Sequence, residues 1–351
     1  MVGTVPLGRA VGTPPTPFGR LLGAGLSARL FTDLSELPAS PGESPVTSNE
    51  RFFVRTAAPR SLAAASTWTI DVGGLVESPA RLTANSLSSH ATRSGRYLIE
   101  CSGNSDPANY GLLSAADWEG IPLADVIDRV GPAANARRVL VSGVDDPSDP
   151  GGTSVPGASW IFARDDLQRA LLATRMNGAP LPRDHGSPVR LIVPGWYGCA
   201  CIKWVDRIEL VGDDVEATPQ MREFAARTHQ SGAPSRARDF VPAVIDTAAV
   251  PVRVERWISD GRPFYRIVGI VWGGTKPTNA LSIRFGSGLP WMRVEDCPLP
   301  RSSDTWSVWT HTWRPSEPGH YDIVLRVDDP TIRTRRLDLF FYTRRVQIDQ
   351  V

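Results

Sequence analysis

The sequence predicts an α+β protein in two parts, a mixed α+β body followed by an immunoglobulin-like β-sandwich. Three observations point there. The chain has 351 residues, more than one hydrophobic core usually organises. Gly and Pro stand at 31 each, which favours turns and short strands over long helices. Before Asp213 short strand-like runs alternate with short helical ones, whereas beyond Val241 the pattern becomes strand after strand.

Residues 1–49 are rich in Pro, Gly, Ser and Thr without lasting periodicity, so they read as an extended N-terminal arm, with a short helix over 21–30 the one element the pattern allows. Residues 50–240 form the mixed body. Strand-like runs fall at 51–55, 67–72, 96–100, 138–142, 189–193 and 202–210. A helix is expected over 122–130, closed by Gly131, and another over 165–176, where Leu167, Leu171 and Thr174 share a stripe and Asp165 or Asp166 stands near the start. The stretch 214–240 has four Arg and few large apolar residues, so it reads as a connection over a surface that ends at the domain boundary. Residues 241–351 carry strand patterns at 252–258, 264–272, 280–285, 306–313, 320–327 and 337–342, the sandwich. Six of the 11 Trp lie here, and alternation puts Trp309, His311 and Trp313 on one sheet face, where they read as core.

Composition excludes several classes. With 38 Lys+Arg against 37 Asp+Glu the net charge is +1, too even to gather a phosphate backbone or anionic lipid, so nucleic acid is not an expected partner. No apolar run is long enough to span a bilayer. The four cysteines, Cys101, Cys199, Cys201 and Cys297, are too few and scattered for a disulfide framework and read as free thiols. Arg9, Arg20 and Arg29 interrupt what would be a secretory apolar stretch, which points to a cytoplasmic protein, or a periplasmic one if a signal has been removed.

Walker, Gly-x-Ser-x-Gly, His-Glu-x-x-His and Cys-x-x-Cys signatures are all missing. What remains is a thiol at the end of an apolar strand, Tyr97-Leu98-Ile99-Glu100-Cys101-Ser102-Gly103-Asn104. Taken alone, such a cysteine reads as a small buried hydrophobe. A second feature is the segment Pro182-Arg183-Asp184-His185-Gly186-Ser187-Pro188-Val189-Arg190, leading to Cys201-Ile202-Lys203-Trp204. His185, Arg190 and Lys203 around a Gly-Trp-Tyr-Gly loop suit a phosphorylated cofactor, with a solvated surface the alternative.

Together these motifs resemble the sulfite oxidase family of molybdopterin-dependent oxidoreductases, from Arg51 to the C-terminus. Phe52-Phe53-Val54-Arg55 is similar to the family's opening strand, Cys101-Ser102-Gly103-Asn104 to its Cys-Ala-Gly-Asn motif, the block from Met176 to Arg190 to its most specific stretch, and Gly269-Ile270-Val271-Trp272-Gly273-Gly274 to the start of its C-terminal dimerisation domain. The resemblance implies a molybdenum–molybdopterin cofactor, with Cys101 the thiolate ligand of the metal. It implies that Phe53, Val54, Arg55, Asp145, His185, Arg190, Cys201, Ile202 and Lys203 hold the pterin and its phosphate. Asp145 shares an acidic turn with Asp146 and Asp149, and a solvated turn is the competing reading.

Arg55 and Trp118 keep the positions of substrate contacts in sulfite-oxidising members, and with Cys101 they form the implied catalytic set. Elsewhere the pocket departs: Ser105-Asp106 stands where an Arg follows the cysteine motif, Phe224 is nearest by count to a pocket Tyr, and Arg344 matches either a C-terminal pocket arginine or a solvated basic strand. An Asp in place of a cation beside a desolvated oxyanion would weaken binding by about 2 to 5 kcal/mol. The implied activity is oxygen-atom transfer to a small, sulfur-containing substrate by a homodimer that passes electrons to a separate acceptor. The alternatives are a reductase of a sulfoxide or nitrate, and a metal-free binding protein on the same fold. Cys199 and Cys201 lack third and fourth ligands for zinc and read as thiols lining the pterin channel.

Overall fold

In the computed structural model, residues 3–5, 7–8, 30–59, 62–104, 111–144, 158–339 and 342–351 are described. Their strands form four sheets. The first body has two. In one, Ala80–Thr83, Thr69–Gly74, Val205–Val211, Arg138–Gly143 and Ser159–Ala163 lie side by side, antiparallel except for the parallel pair Thr69–Gly74 and Val205–Val211. In the other, Arg93–Glu100, Leu113–Pro122, Leu171–Met176 and Ala179–Pro180 follow in order, and Arg190–Ile192 also pairs with Leu171–Met176.

Beyond residue 247 two further sheets form the β-sandwich. One joins Gly3–Val5, Ala248–Ser259, Arg262–Trp272 and Ser307–Trp313; the other joins Met292–Arg293, Leu281–Arg284, Gly319–Val327, Arg344–Ile348 and Leu7–Gly8. Trp309, His311 and Trp313 share a buried face as expected, with the Trp313 ring stacked on Phe285 at 4.1 Å between centroids and His311 stacked on the same ring. The α+β body and the β-sandwich predicted from the sequence are both present. The N-terminal arm adds one short strand to each sandwich sheet, and its later part inserts Phe31, Leu34 and Leu37 into buried positions.

The helix expected over 122–130 runs Leu123–Arg129, burying Leu123, Val126 and Ile127 on one stripe, with Asp125 in its first turn and Arg129 in its last. The helix expected over 165–176 is not formed. A 3-10 turn at Arg164–Leu167 precedes the strand Leu171–Met176, which sits between two neighbours and buries every side chain but Arg175. A strand buried on both faces has no polar alternation, so its apolar run mimics a helical stripe. The run 51–55 is a turn on Ser48 with a single bridge from Val54 to Leu30. Residues 337–339 are likewise turn rather than strand: Leu337 and Tyr342 are buried, and the amides of Tyr342 and Thr343 both donate to the Leu339 carbonyl. The segment 214–240 is pinned rather than draped, because Met221, Ala225 and Ala237 are buried and Thr218 caps the short helix Pro219–Glu223.

The sheet that ends at Cys101 lies between the two hydrophobic cores. Along Leu113–Pro122, Ala116 and Trp118 face the core of the first body while Leu113 and Ala115 face that of the sandwich. Along Arg93–Glu100, Ile99 joins the first core and Leu98 the second. The alternation of a strand therefore sends Glu100 toward the sandwich, opposite to Ile99. There the fully buried Glu100 carboxylate accepts two bonds from Arg335, both at 2.7 Å, one from Trp272 Nε1 at 2.9 Å and one from Asn104 Nδ2 at 3.0 Å. Arg335 also donates to the hydroxyls of Tyr342 and Tyr197. Burial opposes the Arg335 charge, but the Glu100 carboxylate outweighs it and holds the guanidinium well above its ordinary range.

Removing one partner strands a buried charge. Arg335→Met is expected to lower stability by about 3 to 5 kcal/mol, and Glu100→Leu combined with Arg335→Met by much less. Urea unfolding of both variants measures this, and equal losses in the two would show that the pair is not the source.

Candidate functional site

The Asn-Gly pair after Leu171–Met176 makes the hairpin turn to Ala179–Pro180, with φ of 52° at Asn177 and 73° at Gly178. Asn177 then organises what lies beside it: its Oδ1 accepts from the Asp117 amide, and its Nδ2 donates to the Thr47 carbonyl at 2.8 Å and to Asn49 Oδ1 at 2.9 Å. The Asn49 carbonyl in turn accepts from His185 Nε2 at 2.9 Å. That bond fixes the proton on Nε2, since a carbonyl can only accept. Burial presses the His185 pKa down to about 4, with the Asn49 carbonyl opposing.

Phe52 is fully buried and stands edge-on to both the Trp118 ring, at 5.8 Å, and the His185 ring, at 5.3 Å. Trp118 is itself fully enclosed, its Nε1 donating to the Tyr97 carbonyl and its face under the Arg190 guanidinium at 5.4 Å. Arg190 donates from Nη1 to the His185 carbonyl at 3.2 Å, while its buried Nε has no partner. Among the described residues no carboxylate pairs with Arg190, and burial lowers its pKa to about 10. Gly186, with φ of 111°, lets the chain close here: a Cβ would stand 3.1 Å from Arg190 Cβ and 3.2 Å from Lys203 Cα. Lys203 donates from Nζ to the carbonyls of Thr56 and Asp184 and lies over the Trp204 ring at 4.3 Å. Ile202 is buried, its carbonyl accepting from the Leu191 amide. The Cys201 sulfur is buried against Val193, 3.4 Å from its amide.

The segment that begins Phe53-Val54-Arg55 crosses between this cluster and Cys101. The Phe53 amide donates to Ser114 Oγ, Val54 bridges to Leu30, the Ala58 amide donates to Asp184 Oδ1 at 2.8 Å and Arg183 donates to the Pro59 carbonyl. Arg55 is half-buried and its charge reaches the Cys101 sulfur.

Cys101 continues its strand by one rung, its amide donating to the Leu112 carbonyl at 2.9 Å. Asn104 closes the turn, donating its amide to the Cys101 carbonyl while its Oδ1 accepts from the Leu112 amide. Burial pushes the half-buried Cys101 thiol up; the Gly103 amide, Arg55 and Arg227 pull it down, and Glu100 adds to the rise. The Ser102 hydroxyl beside it is buried without a well-aligned partner.

The sequence-predicted residues thus converge in two zones joined by residues 53–59: Cys101 with Arg55, and His185 with Arg190, Trp118, Ile202 and Lys203. Asp145 and Asp106 lie outside the described residues, although Val144 is anchored next to Lys203 by its amide bond to the Trp204 carbonyl. Arg344 opens the last strand and donates to the Thr343 carbonyl. Arg335 is the C-terminal arginine that reaches the cysteine-bearing strand, and sequence reasoning, which weighed Arg344, passed over it. Arg227, from the segment 214–240, was also missed. The one available signal was Glu100, a charge at the end of an apolar strand that demands a buried partner.

The geometry fits a phosphorylated cofactor. A buried guanidinium with an unpartnered Nε suits an anionic group, and Gly186 is what lets Arg190 and Lys203 pack together there. Comparison with known proteins points the same way. Residues 56–218 match the family described as oxidoreductase molybdopterin binding domain. The mitochondrial sulfite oxidase of Rattus norvegicus is 31% identical over 235 residues, 62% of this chain and 42% of that protein. The NADH nitrate reductase of Spinacia oleracea is 34% identical over 173 residues, 44% of this chain and 19% of that one. The alignments therefore span less than half the length of these relatives. The sulfane dehydrogenase SoxCD of Paracoccus pantotrophus superposes with a TM-score of 0.67 at 18% identity, covering 99% of this chain and 91% of that chain. Residues 56–218 thus match an oxidoreductase molybdopterin binding domain, and the chain resembles the mitochondrial sulfite oxidases over 62% of its length.

The depressed His185 pKa has a measurable consequence. Between pH of about 6.5 and about 4 the unfolded chain binds a proton that the folded chain refuses, so stability falls as pH is lowered through that window, by about 3 kcal/mol in all. Urea midpoints of wild type and His185→Gln between pH 4 and 7 test it: the variant's slope is expected to be shallower, and parallel slopes would remove His185 as the cause.

Proposed function

We propose that this chain oxidises a small sulfur oxyanion or sulfane sulfur by oxygen-atom transfer, with Cys101 as the protein's ligand to molybdenum. The observation that carries this reading is the position of Cys101: a half-buried thiol at a strand end, between the charges of Arg55 and Arg227. When bound, the molybdenum–molybdopterin cofactor supplies the two-electron oxygen-transfer chemistry. The residues around it have separable tasks. Arg190 receives the cofactor's phosphate on its unpartnered Nε. His185, neutral and fixed by Asn49, offers a rigid wall rather than a charge. Lys203 orders residues 56–59 through its backbone contacts and adds positive potential. Trp118, enclosed beneath Arg190, acts as a positioning residue for that guanidinium rather than as a direct substrate contact.

Substrate discrimination falls to Arg55 and Arg227, which place two positive charges around the sulfur of Cys101 and so favour an anion. In this reading electrons pass to a separate acceptor, and residues 241–351 form a dimerisation domain. A reductase of nitrate is the second reading, favoured by the identity shared with the spinach enzyme.

Elemental analysis and turnover with ferricyanide test the assignment. Cys101→Ser is expected to lose oxidation of sulfite and thiosulfate while keeping most of its pterin, whereas Arg190→Ala loses pterin first; full activity in Cys101→Ser, or normal pterin in Arg190→Ala, overturns the respective role. Nitrate reduction with reduced viologen, without sulfur-compound oxidation, would favour the second reading. Arg227→Ala is expected to raise KM for the anionic substrate about tenfold with a smaller change in kcat, equivalent to about 1.4 kcal/mol of binding. An unchanged KM would place Arg227 outside the pocket.

A further inference from the structure

Cys101 has a sulfur neighbour that the proposed chemistry does not use. Cys199 lies in the loop after Gly195, and that loop is bolted to the cysteine-bearing strand by the bond from the Gly198 amide to the Glu100 carbonyl, at 2.7 Å. The approach is as close as backbone allows: a Cβ on Gly198 would stand 2.9 Å from Ile99 Cγ2 and 3.3 Å from the Glu100 carbonyl oxygen. Cys199 and Cys101, each one residue beyond that bond, are both half-buried and both reduced. The Cys199 thiol is near enough that the Cys101 sulfur and the Ser102 hydroxyl both act on it. Cys201 also acts on the Cys199 thiol, but neither it nor Cys297 is presented to Cys101. Cys201 is turned back onto Val193, and Cys297 lies in the sandwich core.

We propose that Cys199 is a resolving thiol for Cys101, and that in the cofactor-free chain the two close a reversible disulfide that masks the metal-ligand position. The step is a two-electron oxidation. Two S–H bonds break and one S–S bond forms, and the two electrons and two protons go to a thiol oxidant, either hydrogen peroxide, which yields two waters, or diamide, which yields its hydrazine. A dithiol reductant reverses it. The disulfide holds Cys101 on the recoverable side of sulfur oxidation, since a lone thiol with accessible surface proceeds from sulfenic to sulfinic acid, from which it does not return unaided. The disulfide itself does not depend on the proposed function; only its suppression by bound cofactor rests on Cys101 being the metal ligand.

The test uses the full chain purified from a host unable to make molybdopterin and, separately, the cofactor-loaded protein. Each is treated with diamide, its remaining thiols are alkylated, and it is digested with trypsin without reduction. Residues 97–129 contain Cys101 as their only cysteine, and residues 191–203 contain Cys199 and Cys201. In the cofactor-free chain the two peptides are expected to appear joined, lighter by two hydrogens than their sum, with two of the four thiols lost and both recovered with dithiothreitol. Cys199→Ser and Cys199→Ala are expected to lack the joined peptide and, under peroxide, to accumulate sulfinic acid at Cys101. Absence of the joined peptide from the oxidised wild-type chain overturns the inference, as does its persistence in the Cys199 variants, which would make Cys201 the partner. The loaded protein is expected to resist joining. Equal joining in loaded and cofactor-free protein would leave the disulfide standing and overturn the assignment of Cys101 as metal ligand.

Discussion

A fully buried carboxylate sits one residue before Cys101, and much of the molecule is arranged to keep it there. Glu100 is tolerable in the interior only because Arg335, Trp272 and Asn104 all donate to it. Those donors come from opposite sides of the protein. Arg335 and Trp272 belong to the sandwich, while Asn104 closes the turn that begins at Cys101. One ion pair therefore ties the position of the thiol to the folding of a domain whose own strands are far from it in sequence. The single-residue alternation of a β-strand makes this possible, because Glu100 faces one core while its neighbour Ile99 faces the other.

On the other side of the cysteine-bearing sheet the logic is reversed. There a buried guanidinium, Arg190, is left with an unpartnered nitrogen. Phe52, Trp118 and His185 surround it with flat, uncharged surfaces. Arg335 has a buried carboxylate for its partner, whereas among the described residues Arg190 has none, which separates an architectural charge from one kept for an anion. The segment 53–59 runs between them and couples the two zones, so that a cofactor bound through its phosphate at Arg190 would be aligned by the same backbone that carries Arg55 toward Cys101.

Much of this was readable in the amino-acid order, and the failures have physical causes. The helix at 122–130 was clear because its apolar residues recur at i, i+3 and i+4 on an otherwise polar segment. Leu171–Met176 was misread because a central strand buried on both faces carries no alternation to betray it. The stretch 337–342 was misread because the buried Leu337 and Tyr342 flank a turn at 337–339, and Tyr342 meets Arg335. The cysteine motif and the block from Met176 to Arg190 stood out, and the structure explains the latter as a hairpin whose Asn177 orders the backbone that receives His185. Arg227, Arg335 and Cys199 did not stand out, since each owes its place to tertiary contacts with residues distant in the chain.

The short strands at the start of the chain bear on how the molecule is assembled. Gly3–Val5 pairs with Ala248–Ser259, and Leu7–Gly8 with Arg344–Ile348. Each pairing joins segments more than two hundred residues apart, and each covers a rim of the sandwich whose unpaired backbone would otherwise be open to other chains. The entropy of closing so long a loop makes this sealing a natural slow phase of folding.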